Sequence, residues 1–175
     1  RFGSAGEFVD FVHEARSRGI RVLVDLVVNH TSDRHPWFVE ARRDRDAELH
    51  DWYVWSDKRP PDWESGMVFP GVQKETWTYA REVRRYYFHR FYDFQPDLNM
   101  ANPRVREEVR RIIGFWLQLG VAGFRMDAVP FVLEKPSADG GRSQMCFEWL
   151  RDFRAFLQWR VGDAILLGEA NVEPG

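Results

Sequence analysis

The sequence predicts an α/β fold built on a parallel sheet, with a separate small region inserted into it. Two observations carry this. An amphipathic helix followed by a short apolar strand occurs three times, and alternation of that kind implies right-handed crossovers between parallel strands. Between the first and second units lies a stretch from about Arg34 to Asp97 that is too long for a structureless loop in a compact domain.

The first unit opens at Ser4, with Glu7 three residues on as a capping box. Phe8, Phe11, Val12 and Ala15 follow at helical spacing, and Gly19 supplies the left-handed stop. The run Ile20 to Val28 then reads as a strand buried on both faces. The second unit has Asn102 as N-cap and Pro103 as first helical residue. Its apolar stripe is Val105, Val109, Ile112, Trp116 and Leu119; Gly120 ends it, and Val121 to Asp127 is the next strand. In the third, Met145, Trp149, Leu150, Phe153, Phe156 and Leu157 line a helix, and Ala164 to Glu169 form a strand. The insert holds fifteen of the twenty-seven aromatic residues, so it is expected to pack a small core of its own. Pro60-Pro61 and Pro70-Gly71 punctuate it as turns.

Composition narrows the function classes. The 25 basic and 27 acidic side chains nearly balance, which gives no bulk electrostatic reason to hold a nucleic acid. No apolar run approaches the length of a membrane span. The single cysteine, Cys146, rules out an internal disulfide framework and an all-cysteine metal site. With one cysteine and no visible export signal, a cytoplasmic location is the default expectation. The chain begins at Arg1 rather than methionine, and it is treated as a piece of something longer.

Each apolar run is broken by polar residues near its C-terminal end. The first ends in Asp25-Leu26-Val27-Val28-Asn29-His30, the second in Arg125-Met126-Asp127, the third in Glu169-Ala170-Asn171. In parallel α/β folds the carboxyl ends of the strands carry the active site. One such acid could be a helix cap or a solvated turn; three strands delivering Asp, Arg-x-Asp and Glu to one rim point to chemistry. Arg125 and Asp127 are two apart on a strand and share a face. The cation is expected to lower the pKa of Asp127 and keep it ionised as a nucleophile. Glu169, after Ile165-Leu166-Leu167, is expected to have a raised pKa suited to a general acid. That pairing is the arrangement for retaining glycoside cleavage.

Four stretches, in order, resemble the signature segments of the α-amylase family of glycoside hydrolases. They are Asp25 to His30, Gln95-Pro96-Asp97-Leu98-Asn99, Gly123-Phe124-Arg125-Met126-Asp127-Ala128-Val129-Pro130, and Gly168-Glu169-Ala170-Asn171. Within the family the chain looks most like the trehalose synthase and oligo-1,6-glucosidase branch. Asn29-His30-Thr31-Ser32-Asp33, His35-Pro36-Trp37-Phe38 and Trp52-Tyr53-Val54-Trp55-Ser56-Asp57 carry this, and Asp127-Ala128-Val129-Pro130-Phe131 leans toward trehalose synthase.

The resemblance implies part of a (β/α)8 barrel, about three of eight strands, with a domain inserted after the third barrel strand. Residues 1–33 and 98–175 would form the partial barrel and 34–97 the insert. Asp127 would be the nucleophile and Glu169 the acid/base. Arg125 and His30 would contact the nucleophile and the bound glucose ring, and Asp25 would brace the cluster. A structural calcium ion is implied at the side chains of Asn29, Asp97 and Glu134 with backbone oxygens of Phe131 and Val132, donors that suit a hard cation; the two branches differ in this feature. No organic cofactor is implied. The expected substrate is a small α-glucoside such as maltose, trehalose or an isomalto-oligosaccharide. The reaction is either intramolecular glucosyl transfer turning maltose into trehalose or hydrolysis of short α-glucosides.

The family also requires a further Asp, preceded by His, after the seventh barrel strand. This chain stops at Gly175, past the fifth, so it is expected to be inactive by itself. The competing readings are a non-catalytic, transporter-associated relative, against which Asp127, Glu169, Arg125 and His30 together argue, and a truncated homologue without function. His13, His35, His50 and His89 are expected to be surface or packing residues. Trp37, Trp52, Trp55, Trp63 and Trp77 are expected to serve chiefly as core.

Overall fold

The computed structural model describes residues 3–135 and 144–170. In chain order the elements are α1 (Ala5–Ser17), β1 (Leu23–Leu26), α2 (Pro36–Ala41), a 3-10 turn (His50–Trp52), β2 (Trp55–Ser56), β3 (Trp77–Ala80) and β4 (Arg85–Phe88). They continue as α3 (Pro103–Gln118), β5 (Gly123–Met126), α4 (Val129–Val132), β6 (Glu134–Lys135), β7 (Gln144–Met145), α5 (Phe147–Arg160) and β8 (Ile165–Gly168). Among the described residues no helix is long and apolar enough to cross a membrane.

The chain divides into two compact units, one of residues 1–27, 107–130 and 147–175, the other of 28–106 and 131–146. The second unit is thus wider than the 34–97 insert that the sequence outlines. It takes in the segment after β1 and the turn after α4.

The first unit is built on the parallel sheet β1-β5-β8. Helix α1 starts where the capping box places it: Glu7 N–H donates to Ser4 Oγ at 3.3 Å, and Ser4 N–H donates to Glu7 Oε2 at 2.7 Å. Its buried face is Val12 and Ala15, whereas Phe11 is exposed. Gly19 adopts φ +76 and closes the helix as expected. β5 lies in the centre, and Phe124 and Met126 are fully buried. Gly123 permits the close approach of β8: at its φ of +150 any Cβ would collide with the Ile165 backbone. β1 departs from the expectation of burial on both faces. Along this edge strand Leu26 and Val28 are buried, while Asp25 and Val27 on the other face are exposed.

The second unit packs an aromatic core, as its composition suggests. Phe38 is fully buried, with the rings of Tyr53, Trp55 and Tyr87 around it at 4.9, 5.9 and 5.0 Å. Trp52, Trp55 and Trp77 are buried, and His50 stacks on Trp55 at 4.6 Å, so these are packing residues. A small antiparallel sheet, β2-β4-β3, spans this core.

Two helix faces differ from the sequence reading. In α3 the fully buried position is Ile113, not Ile112, so the stripe runs Val105, Val109, Ile113 at four-residue steps. Met145 lies in β7 and is exposed, so the apolar face of α5 begins at Trp149.

Candidate active site

Sheet register places the candidate residues of the first unit. Asp25 pairs with Arg125 across β1 and β5, and Arg125 pairs with Leu167 across β5 and β8. Asp127 leaves the end of β5 with its N–H donating to Leu26 O at 3.2 Å. Glu169 leaves the end of β8 with its N–H donating to Met126 O at 2.9 Å. The two strand ends are then tied to each other, since Val129 N–H donates to Glu169 O at 3.1 Å and Ala128 N–H to Glu169 Oε2 at 3.4 Å.

Arg125 gathers all three acids. Its Nη1 lies 3.3 Å from both Asp25 Oδ1 and Asp127 Oδ1, and its Nη2 lies 2.9 Å from Glu169 Oε2. The structure therefore brings together Asp25, Arg125, Asp127 and Glu169. The Asp127 and Glu169 carboxyls are within hydrogen-bonding reach of each other, closer than an inverting pair, which must leave room for a water.

The proton is distributed differently from the sequence expectation. Burial pushes the Asp127 carboxyl up, the neighbouring Glu169 adds to the rise, and Arg125 opposes it only in part. Glu169 is held down by the hydrogen bond from Asp127 and by the Ala128 N–H, with Arg125 adding to this. The reversal has a simple cause. Glu169 emerges past the exposed end of β8 among donors rather than in apolar surroundings, while Asp127 is the more buried of the two. The two titrate as a pair, with Asp127 the more reluctant to ionise.

One feature of this cluster has no sequence signal. Ala128, directly after Asp127, has φ +52, a left-handed conformation that costs a non-glycine residue about 1 kcal/mol or more. It turns the Ala128 N–H onto Glu169.

His30 lies in the second unit. Gln95 N–H donates to Tyr92 O at 2.8 Å, and Gln95 Oε1 accepts from Tyr92 N–H at 3.4 Å, so its Nε2 is the donor to His30 Nε2 at 2.9 Å. His30 is thereby the Nδ1–H tautomer, and that buried Nδ1 has no hydrogen-bond partner among the described residues. Burial holds its pKa below the usual histidine range. Gln95 thus has a positioning role that its place in the second motif did not reveal.

The residues considered for calcium also lie in the second unit. Asn29 and Asp97 are buried. Asp97 Oδ1 accepts from Arg90 N–H at 3.0 Å, and burial pushes this carboxyl up to about 7. The Asn29 side-chain amide favours the ionised form of this carboxyl, and its buried Nδ2 makes no short hydrogen bond among the described residues. A buried, under-compensated acid with a side-chain amide next to it is a fit for a hard cation only if the amide turns its oxygen inward. Glu134, however, pairs with the Arg90 guanidinium, which also lies 5.1 Å over the Phe131 ring. Among the described residues no three acidic, histidine or cysteine side chains form a metal cage, so the set needs its amide and backbone oxygens. Asn171, the last residue of the fourth motif, lies outside the described residues.

Comparison with known proteins agrees with the motifs. The alpha-amylase catalytic domain model matches residues 1–173. A trehalose synthase from Pimelobacter sp. (strain R48) is 41% identical over 172 residues, 98% of this chain and 30% of that protein. An oligo-1,6-glucosidase from Parageobacillus thermoglucosidasius is 43% identical over 147 residues, 82% of this chain and 25% of that protein. The solved trehalose-6-phosphate hydrolase of Bacillus licheniformis superposes with a TM-score of 0.84 at 31% identity, covering 99% of this chain and 33% of that one. The chain thus spans about a third or less of the relatives it matches. From its three-stranded parallel sheet, its small antiparallel insertion and this match over nearly its whole length, the chain belongs to the alpha-amylase family, as part of the catalytic domain.

Proposed function

We propose that this chain supplies part of a (β/α)8 barrel and two catalytic carboxylates to a retaining α-glucoside-active enzyme of the trehalose synthase type. The observation that carries the reading is the Arg125 cluster: one guanidinium contacting both Asp127 and Glu169, with Asp25 as its third partner. A sugar entering between the carboxyls breaks their hydrogen bond. The reacting state has the proton on Glu169 and Asp127 ionised beside Arg125. Asp127 attacks the anomeric carbon as the glycosidic C–O bond breaks, and Glu169 gives its proton to the leaving oxygen. Glu169, now a base, takes a proton from the hydroxyl that opens the glucosyl ester. If that hydroxyl belongs to the released glucose, maltose becomes trehalose; if it is water, the reaction is hydrolysis.

Resemblance to trehalose synthase over 98% of the chain supports transfer, and the 43% identity to an oligo-1,6-glucosidase supports hydrolysis as the second reading. The test is to incubate the protein of the complete reading frame with maltose and follow the anomeric protons by NMR. Trehalose with little free glucose is the expected result. Glucose alone makes the enzyme an α-glucosidase, and unchanged maltose overturns both. Asp127→Asn is expected to lower the rate at least about a thousandfold.

A structural calcium ion is part of the proposal. Asn29, Asp97 and Glu134 side chains with the Phe131 and Val132 carbonyls would hold it, with Glu134 exchanging Arg90 for the ion. Binding would neutralise the buried Asp97. Added calcium is expected to raise the unfolding midpoint over that in chelator; identical midpoints would remove the ion from the proposal.

A further inference from the structure

Away from the carboxylates, the first unit carries Trp159 on the outer face of α5. It is 78% exposed, more than any other large apolar side chain among the described residues. The ring is nonetheless held in place. The Arg160 guanidinium lies over it at 5.4 Å and over Phe156 at 5.5 Å. Gly114 of α3 leaves room for that arginine, since a Cβ there would stand 3.8 Å from Arg160 Nη2. A side chain ordered in advance loses less freedom when something docks on it.

One exposed tryptophan needs no partner. The pattern around this one is more specific. The buried face of α5 is Trp149, Phe153 and Leu157, so the opposite face carries Glu148, Arg151, Asp152, Ala155, Gln158 and Trp159, all exposed. Those residues are arranged evenly about Ala155. Arg151 and Trp159 lie four positions to either side of it, and Asp152 and Gln158 three. Asp152 is paired with Arg110 at 3.5 Å. Glu148 near one end of the helix, Arg151, and Arg160 at the other end have no ion pair among the described residues.

We propose that this face of α5 docks a second copy of the protein, with the two helices antiparallel and Ala155 facing the partner's Ala155 on a two-fold axis. Such a contact sets each residue before Ala155 against the one equally far beyond it. Arg151 then lies on the ring of the partner's Trp159, a cation–π pair made twice. Gln158 donates its side-chain N–H to the carboxylate of the partner's Asp152. The small Ala155 lets the helices approach closely at the axis. The acidic end of one helix, with Glu148, lies by the Arg160 end of the other, so opposite charges and opposite helix ends meet. A parallel pair would instead set Arg151 against the partner's Arg151. Further barrel strands would join at the free edges of β1 and β8, beside α5 rather than over its outer face.

The test is sedimentation equilibrium on the protein of the complete reading frame. It reads mass and not activity, so its result is independent of the α-glucoside reading. The protein is expected to sediment as a dimer or an even multiple of one. Ala155→Arg sets two like charges on the axis, at an exposed position where arginine is a good helix former, and is expected to halve the mass while the fold stays. Trp159→Ala is expected to raise the dissociation constant about thirtyfold or more. A monomeric wild type overturns the proposal. So does an oligomer whose mass both variants leave unchanged, which would place the contact on another face. A monomer whose unfolding midpoint Ala155→Arg lowers would mean that another segment of the same protein covers α5, and overturns it as well.

Discussion

Arg125 and Arg90 do the same thing in different surroundings. Arg125 gathers three carboxylates and Arg90 pairs with one, Glu134, each from a segment distant in sequence. Around Arg125 the side chains are 39% exposed for the arginine, 63% for Asp25, 25% for Asp127 and 44% for Glu169. Around Arg90 they are 11% for the arginine and 20% for Glu134. Arg90 also donates from Nη1 to Gly66 O at 3.0 Å and lies 5.1 Å over the rings of both Phe88 and Phe131. Within this chain the open cluster faces water, which screens its ion pairs. The closed one is held by carbon on two sides and by its backbone partner. The difference separates a charge cluster that can do chemistry from one that holds a fold together.

Removing each arginine in turn tests that separation. Arg90→Ala leaves Glu134 and the buried Asp97 without their cation, and is expected to cost about 3–5 kcal/mol of unfolding free energy in denaturant titration. A loss below about 1 kcal/mol would make the Arg90 cluster no different from a surface pair. Gly66 belongs to the same clasp, since a Cβ at its φ of +72 would strike the Arg90 guanidinium.

Arg125→Ala is expected to do the opposite. Its unfolding midpoint should stay close to wild type, because its partners regain water. Turnover of the complete enzyme should fall about a hundredfold or more, since the cation that favours ionised Asp127 is gone. A large stability loss with normal turnover would exchange the roles of the two clusters.

The open cluster was legible in the sequence for a physical reason. Asp25, Arg125, Asp127 and Glu169 each end or interrupt an apolar run, and the parallel strand order carries those ends to one rim. Local pattern therefore reported long-range placement. The closed cluster was only half legible. Asn29, Asp97 and Glu134 stood out as oxygen donors, but Arg90 is joined to Glu134 across forty-four positions, and nothing local marks that contact. Ala128 gave no signal because alanine does not advertise a positive φ as glycine does. The direction of the Asp127 and Glu169 shifts was misread for a related reason: the apolar run before Glu169 says nothing of how exposed the end of β8 is. The one-residue slip from Ile112 to Ile113 is an error of phase, which a stripe of neighbouring apolar residues cannot settle.

The smallest expected effect is in the pH dependence of stability. In the open cluster the Asp127 carboxyl is raised, and its contribution is present below about 3.8 and lost as pH rises. Glu169 is lowered, and its contribution is present above about 4.5 and lost as pH falls. The two oppose one another. In the second unit His30, His35 and His89 act in one direction. His30 and His89 are each lowered by burial. His89 is 1% exposed, its Nδ1–H donates to Phe91 O at 3.1 Å, and its Nε2 lies 3.0 Å from the Thr78 hydroxyl. Asp93 and Glu75 favour its charged form but do not overcome burial. Below pH 6.5 the unfolded chain binds a proton that the folded one refuses, so stability falls as pH drops from 6.5 toward the lowered folded value and is flat above. One such group contributes a slope of at most about 1.4 kcal/mol per pH unit. His89→Gln is expected to make the fall between pH 6.5 and pH 5 shallower, measured as unfolding free energy at stepped pH. An unchanged slope would mean that His89 takes up its proton without leaving the fold, and that the second unit is as open to water there as the first is at Arg125.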